Sequence, residues 1–363
     1  MEGIVIIGQK KNCLGGPSGI IDGLVNAYSR MGVPCKAIRL EEGTNKLKYL
    51  FKVINTIRRS KNYAINAHTG SFLICLFVYF LSKIYVKDRS YYLTVHGIHR
   101  AALRIDGKKD FVNEWIEAFL FKKFLNLICV SEVLRNDIQR DYARKNNIYV
   151  VPNATDIENY KIKKNRFSNS TLHFVLFGGI SRIKGVMECL ALMAFLKEHV
   201  EVPLLLDIYG KAASKMIEDE YEAALIDYGL QDYVHYRGQV HTKEEIANIL
   251  SEATFQLCLS HYDSFNVAVI EGMVVGCPAI CSLCCGASCF IKSEINGPTV
   301  DLKENYLERI YHYIKKSISD AEFYQSQCEN AIRVAPHVRW ENAANTCCKI
   351  MGVEEINYES DPY

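Results

Sequence analysis

Short apolar runs recur along this chain, each followed by a longer stretch with helical spacing, and the alternation runs through the sequence in two series. Residues 4–8 read as a buried strand, and 17–31 as a helix with Pro17 at its start and Gly32 just past its end. Residues 34–40 predict a second strand. Residues 46–61 predict a helix, because Leu47, Leu50, Phe51, Ile54 and Ile57 recur at three- and four-residue steps. Further strands are expected at 63–67, 91–95, 127–130 and 148–151. The polar, aperiodic residues 161–170 are placed as a linker. A second series follows, with strands expected at 172–177, 204–209, 234–236, 255–259 and 278–282. Repeated β-α units of this kind make parallel, doubly wound sheets whose ligands sit at the carboxyl ends of the strands. A chain of 363 residues exceeds one hydrophobic core. The expectation is therefore two α/β domains, facing each other across a cleft.

Composition narrows the class. Apolar residues make up 49% and charged residues 23%, which fits a globular chain and excludes a disordered one. Met1-Glu2-Gly3 runs directly into apolar residues 4–7, without the basic region or cleavage site of a secretory signal. The longest apolar run, residues 72–81, is about half of what a membrane span needs, so a buried helix is expected there. Fourteen cysteines in a chain of this size, without an export signal, read as reduced thiols acting as small hydrophobes. The expected location is the cytoplasm. Charge is unevenly placed: residues 1–168 hold 28 basic and 14 acidic side chains, against 15 and 27 in the remainder. Such a split points the first half toward an anionic partner or surface.

The stretch richest in chemistry follows the expected strand 255–259 and enters a helix that closes near Gly276. Asp263 falls in the loop and Glu271 about two turns into the helix. The amides of Phe265, Asn266 and Val267 then open the helix, where unpaired N–H donors and the positive dipole end suit a diphosphate. Two carboxylates beside it can accept hydrogen bonds from sugar and ribose hydroxyls. On their own, Asp263 reads equally as a helix cap and Glu271 as a solvated helix residue.

Asp263 and Glu271 resemble the E-x7-E motif of glycosyltransferase family 4, with Asp in place of the first Glu, and the segment from Glu271 to Pro278 resembles its E-G-x-A-x-G-x-P pattern. The resemblance extends over nearly the whole chain. Gly15 and Gly16 resemble the amino-terminal glycine loop, where backbone approaches donor phosphate and acceptor. Thr94-Val95-His96-Gly97 is similar to the family's His-Gly position. Val130-Ser131 and the segment from Val151 to Asp156 match architectural landmarks. The segment from Phe177 to Gly185 is similar to G-R-L-x-x-x-K-G, and Tyr236 to Val240 to the segment whose backbone reads the nucleobase. Arg339-Trp340-Glu341 opens a terminal helix like the family's last one.

The resemblance implies a GT-B fold of two Rossmann-like domains: 1–165 for the acceptor, 166–335 for the nucleotide sugar, and a helix in 336–363 returning to the first domain. It implies a retaining, metal-independent glycosyltransferase that moves a sugar from a nucleoside diphosphate to an acceptor hydroxyl on a cell-surface or lipid-linked glycan, with no cofactor. Lys184 would neutralise the diphosphate, His96 would face the sugar, Asp263 would orient it and Glu271 would hold the ribose. Gly15, Gly16, Arg182, Gln239, Val240, Phe265, Asn266 and Val267 would complete the donor site.

Three positions depart from the pattern: Gly179 stands where the family has Arg, Asp263 is a shortened acid, and Cys289 replaces a Glu. Arg182 could reach the phosphates from a different backbone position. These departures leave open a second reading, a GT-B protein that binds a sugar nucleotide or a partner without turnover. Cys277, Cys281, Cys284, Cys285 and Cys289 cluster in sequence, but no second spaced Cys/His pair accompanies them, so buried thiols are expected and no metal. Lys46, Lys48, Lys52, Arg58, Arg59 and Lys61 flank the apolar face of one expected helix. That helix either lies on an anionic membrane or packs in the core with a solvated face, and the charge of the first half favours the membrane. No aromatic platform or helix-turn-helix accompanies the charge, which argues against nucleic acid.

Overall fold

The sequence GIVIIG forms strand β1 (Gly3–Gly8) with all six residues buried, as expected for a strand covered on both faces. In this computed structural model, residues 1–8, 16–40, 45–86, 90–156 and 171–353 are described. The linker expected at 161–170 lies outside them. The chain forms two compact units, Met1–Asp156 with His337–Tyr363, and Ile157–Pro336.

In the first unit β1 is followed by α1 (Gly16–Arg30), β2 (Cys35–Arg39), α2 (Lys46–Arg59), β3 (Tyr63–His68) and α3 (Phe72–Tyr85). Then come β4 (Tyr91–Val95), α4 (His99–Ile105), α5 (Phe111–Lys123), β5 (Asn126–Cys129), α6 (Glu132–Tyr142) and β6 (Ile148–Val150). The six strands are parallel in the order β2-β1-β3-β4-β5-β6. The strand order reverses beside β1, the place where ligands enter such sheets.

The second unit contains β7 (Leu172–Phe177), α7 (Val186–His199), β8 (Leu204–Tyr209), α8 (Lys215–Asp227), β9 (Val234–Gly238) and α9 (Lys243–Glu252). It continues with β10 (Phe255–Cys258), α10 (Val267–Val274), β11 (Ala279–Ser282), β12 (Thr299–Val300), α11 (Tyr306–Ser319) and α12 (Ala321–Ile332). Its sheet is again parallel, in the order β12-β11-β10-β7-β8-β9, with the reversal between β7 and β10. Strand β12 has two residues, too few to produce a sequence pattern, and was not anticipated.

Helix α13 (Trp340–Met351) packs in the first unit against α1. Trp340 lies flat over Gly23, where a Cβ would fall 2.1 Å from the indole Cε2. Tyr92 Oη donates to Ile350 O at 3.1 Å, and Thr155 N–H to Val338 O at 2.9 Å.

Two helices differ from expectation. Residues 72–81 do form a helix, but α3 buries only Cys75, Val78, Tyr79 and Ser82 and exposes Leu73, Phe80 and Ile84. A helix on a sheet has one inner face, so an all-apolar helix leaves a greasy outer one. In α2 the buried stripe is Tyr49, Val53 and Ile57, while Leu47 and Phe51 point outward. No helix among the described residues is long and apolar enough to cross a membrane. Every described cysteine is unbridged, and most are buried.

Candidate active site

Strands β7 and β10 are neighbours, and their carboxyl ends meet where the strand order reverses. After β7 the amides of Gly178 and Gly179 both donate to Tyr209 O, at 2.9 and 2.8 Å. Gly179 has φ +68°, and a Cβ there would lie 2.0 Å from Lys211 O. This backbone conformation and this space admit only glycine, which explains why no arginine stands at the position. Gly185 is equally constrained, with φ +74° and a Cβ position 1.8 Å from Leu259 O. The loop thus lies directly on the end of β10, tied by His261 N–H donating to Ile183 O at 2.9 Å.

That contact brings together two residues 79 apart in sequence: Lys184 Nζ donates to Asp263 Oδ2 at 2.6 Å. Asp263 is held on three sides. Its N–H donates to Cys284 O at 3.2 Å, its carbonyl accepts from Gly286 N–H at 2.9 Å, and its Oδ1 accepts from Phe265 N–H at 3.3 Å. Burial lowers the lysine's proton affinity, but the adjacent carboxylate more than offsets this and holds its ammonium above the ordinary range. Burial also pushes the Asp263 carboxyl up, against the pull of Lys184. The lysine decides the state of the pair, because the short charge-assisted bond favours ammonium with carboxylate over two neutral groups.

Glu271 is the fifth residue of α10, one turn into the helix and not two, and like Asp263 it is only 6% exposed. The residue before the helix, Asn266, has φ +61° and gives no side-chain cap, since its Nδ2 donates instead to Cys258 Sγ at 3.1 Å. The first amides of α10, beginning with Val267, thus have no capping side chain, the kind of helix end that suits an anion. Phe265 buries its ring against Phe290, and its amide, expected to face the diphosphate, is instead given to Asp263 Oδ1.

The other expected residues are more dispersed. Arg182 forks onto Glu220 of α8, with Nε to Oε2 at 3.0 Å and a second contact from Nη2 to Oε1. Gln239 and Val240 follow β9 at the sheet edge, Gln239 exposed. Gly16 is the exposed first residue of α1, with φ +60°, whereas Gly15 lies outside the described residues.

His96 directly follows β4 in the first unit, and sequence reasoning missed what supports it. His68 pairs in register with Thr94, so alternation puts Asn66, His68, Thr94 and His96 on one face of β3 and β4. Thr94 Oγ1 donates to Asn66 Oδ1 at 2.9 Å, and Asn66 Nδ2 lies 3.2 Å from His68 Nε2. His68 Nδ1 lies 2.9 Å from His96 Nε2, and the His96 amide donates to Thr69 Oγ1 at 2.8 Å. Burial holds His96 down to about 3. Burial, then His96 and Arg39, hold His68 well below the ordinary range. Alternate polar residues in an otherwise apolar strand were the available signal.

Of the sequence cluster of cysteines, Cys281 and Cys285 meet Cys258, with all three sulfurs within 4.8 Å of one another and buried. This is the group among the described residues with the ligands for an ion. Cys281 and Cys285 direct their S–H toward Ser282 O and Phe265 O at 3.5 and 3.3 Å, and Cys258 accepts from Asn266. Hydrogen bonds from Cys281 and Cys285 hold the Cys258 thiol well below the ordinary range, while Cys281 and Cys285 are themselves held well above it.

The first unit also exposes a set of large apolar side chains: Leu47 and Phe51 on α2, Leu73 and Ile84 on α3, Phe111 and Trp115 on α5. Of these, α5 had not been singled out. An apolar cavity of about 450 Å³ opens between α2 and α3, lined by Leu40, Tyr49, Leu50, Leu73 and Phe77, with Lys46 at its edge.

Two doubly wound parallel sheets make the architecture of the GT-B fold, and the second of them carries a Lys–Asp pair, a buried Glu and an uncapped helix start at its switch point. The sequence matches Glycosyltransferase Family 4 over residues 29–159 and Glycosyl transferases group 1 over 158–334. The chain belongs to the group 1 glycosyltransferases of family 4. It is 22% identical over 282 residues to the UDP-Gal:alpha-D-GlcNAc-diphosphoundecaprenol alpha-1,3-galactosyltransferase of Escherichia coli, covering 74% of this chain and 70% of that one. It is 28% identical over 141 residues to the GDP-mannose:cellobiosyl-diphosphopolyprenol alpha-mannosyltransferase of Xanthomonas oryzae pv. oryzae, covering 39% of this chain and 36% of that one. The fold is similar to that of sucrose-phosphate synthase from Thermosynechococcus elongatus, with a TM-score of 0.76 and 16% identity over 96% of this chain and 98% of the other. It is similar also to Anabaena HepE in complex with UDP and glucose, with a TM-score of 0.73 and 16% identity over 97% and 100%.

Proposed function

We propose that this protein transfers a sugar from a nucleoside diphosphate to a hydroxyl of a glycan or lipid-linked acceptor, with retention of configuration and without a metal. The observation that carries this reading is the Lys184–Asp263 pair at the carboxyl ends of β7 and β10, beside the uncapped start of α10. When a donor enters, its diphosphate takes the helix start and draws Lys184, which frees Asp263 to accept from sugar hydroxyls. Glu271 holds the ribose, and the backbone after β9 reads the base. Lys184 and the helix dipole stabilise the charge that develops on the leaving phosphate, doing the work a metal would otherwise do. The attacking hydroxyl enters on the leaving-group face, so no protein nucleophile is required.

Two relatives whose names give a diphosphoundecaprenol and a diphosphopolyprenol acceptor support a lipid-linked substrate. So do the apolar cavity with Lys46 at its edge and the exposed apolar side chains of a strongly basic unit. Such a surface rests on the anionic inner face of a membrane, with each basic residue near it worth about 1 kcal/mol. The test is transfer with a panel of nucleotide sugars and a polyprenyl-diphosphate sugar acceptor, the product anomer read by NMR. Normal transfer by Lys184→Ala would overturn the phosphate assignment. Nucleotide binding with every acceptor inert would favour the non-catalytic reading that Gly179 and Cys289 leave open.

A further inference from the structure

Three sulfurs meet at the loop that holds Asp263. Cys258 ends β10 and Cys281 is its register partner on β11, so both side chains leave the sheet on one face. Cys285 joins them from the loop after β11, which is pinned to Asp263 by the backbone bonds at Cys284 and Gly286. All three sulfurs are buried and lie within 4.8 Å of one another. A metal bound by thiolates at about 2.3 Å spaces its sulfurs by about 3.8–4.0 Å, so no pair has to close by more than about 1 Å. Buried cysteines often act only as small hydrophobes, but the polar surroundings here are those of a ligand set. Asn266 holds a left-handed backbone at φ +61° and, in place of capping α10, donates its Nδ2 to Cys258 Sγ at 3.1 Å. A neutral thiol is a weak acceptor, whereas a metal-bound thiolate is tuned by such a donor. Ser260 Oγ stands 3.6 Å from the same sulfur, and the Lys184 ammonium lies close enough for the charges of Cys258 and Cys285 to act on it. The carbonyls that accept from the other two thiols keep a partner when those protons leave. Ser282 O also accepts from Cys285 N–H at 3.2 Å, and Phe265 O from Ala287 N–H at 2.7 Å.

We propose that Cys258, Cys281 and Cys285 form a site for one thiophilic divalent cation of the zinc class. Soft sulfur ligands favour this class over magnesium or calcium. Each thiol that carries a proton gives it up to solvent as its sulfur takes the metal, and no electron is transferred. The ion's role is structural. It ties β10, β11 and the loop together and so fastens the segment that holds Asp263, while the proposed transfer asks no chemistry of it.

The experiment uses the full chain, expressed in medium containing Zn²⁺ and purified under a phosphine reductant without chelator. Atomic emission is expected to count one zinc per chain, and X-ray absorption to find three sulfur neighbours at about 2.3 Å. Exchange into Cd²⁺ should bring up the sulfur-to-cadmium charge-transfer band and raise Tm above that of the chelator-stripped chain. Cys281→Ala and Cys285→Ala each lose the metal and the rise in Tm. Cys284→Ser with Cys289→Ser, which removes the two exposed thiols of the same segment, keeps both. If an alanine variant fails to fold, the sulfur count in the wild-type spectrum decides. A wild-type chain without zinc, or an ion with fewer than three sulfur neighbours, overturns the proposal. So does a metal that survives both alanine variants or is lost with the exposed pair.

Discussion

Lys184 Nζ lies 2.6 Å from Asp263 Oδ2, although the two residues arrive on different strands of the second unit. The ammonium and the carboxylate neutralise each other. Each keeps the other charged in a site where burial disfavours charge.

Lys184→Ala leaves Asp263 buried without its counter-ion. Breaking a fully buried pair costs about 3–5 kcal/mol, and Lys184, with a third of its side chain exposed, warrants a discount to about 1–3 kcal/mol. Transfer is expected to fall about 10²- to 10³-fold, as when one donor to a developing charge is lost. Denaturant titration and kcat measurements separate the two effects. Lys184→Met should retain more stability than Lys184→Ala and no more activity.

Glu271→Gln keeps the shape of the side chain and removes its charge. It is expected to weaken nucleotide binding about tenfold, the worth of one charged hydrogen bond to a ribose hydroxyl, with a smaller effect on stability. Calorimetry with the nucleoside diphosphate alone checks it. Equal affinity in the variant would remove Glu271 from the site.

Acid sensitivity follows from the two histidines of β3 and β4. The unfolded chain protonates them near pH 6.5, but His96 in the native state stays neutral down to about 3. Between those values the unfolded state binds more protons, so stability falls as the pH is lowered, by about 1.4 kcal/mol per pH unit for each such histidine. Thermal unfolding followed from pH 7 to pH 4 should show this decline. His96→Asn should make it shallower by about one proton.

Gly179→Arg would restore the residue seen elsewhere in the family, and the structure predicts that it damages this chain. The Cβ alone would fall 2.0 Å from Lys211 O at φ +68°. Gly179→Ala isolates that effect and is expected to destabilise by about 1–3 kcal/mol, read as a lowered Tm.

Phe111→Ser with Trp115→Ser removes two exposed aromatic side chains from α5. If that helix meets lipid, sedimentation with anionic vesicles should drop several-fold while thermal stability stays within about 0.5 kcal/mol. Unchanged sedimentation would move the membrane contact elsewhere.

Much of this was legible in the sequence, for reasons that can be stated. Strand β1 is buried on both faces and reads as an unbroken apolar run, and β7 is apolar at every position but His173, so both doubly wound series could be traced. Asp263 and Glu271 lie close in sequence, and a loop and one helical turn fix their spacing. The pairing of Lys184 with Asp263 was not legible. It depends on Gly185 lying against Leu259. Arg182 shows the same limit, since its partner Glu220 lies on α8 and gives no local sign. The outward turn of Leu47 and Phe51 was also hidden, because helical periodicity identifies a stripe without saying which side the sheet covers.

The packing of α13 on α1, with Trp340 flat against Gly23, has a consequence for the order in which the chain is made. A ribosome finishes every residue of the second unit before it adds the helix that completes the first. Residues 157–336 can collapse around their own core as they emerge, while α1 waits with its Trp340 site uncovered. The unit begun first is the last to close.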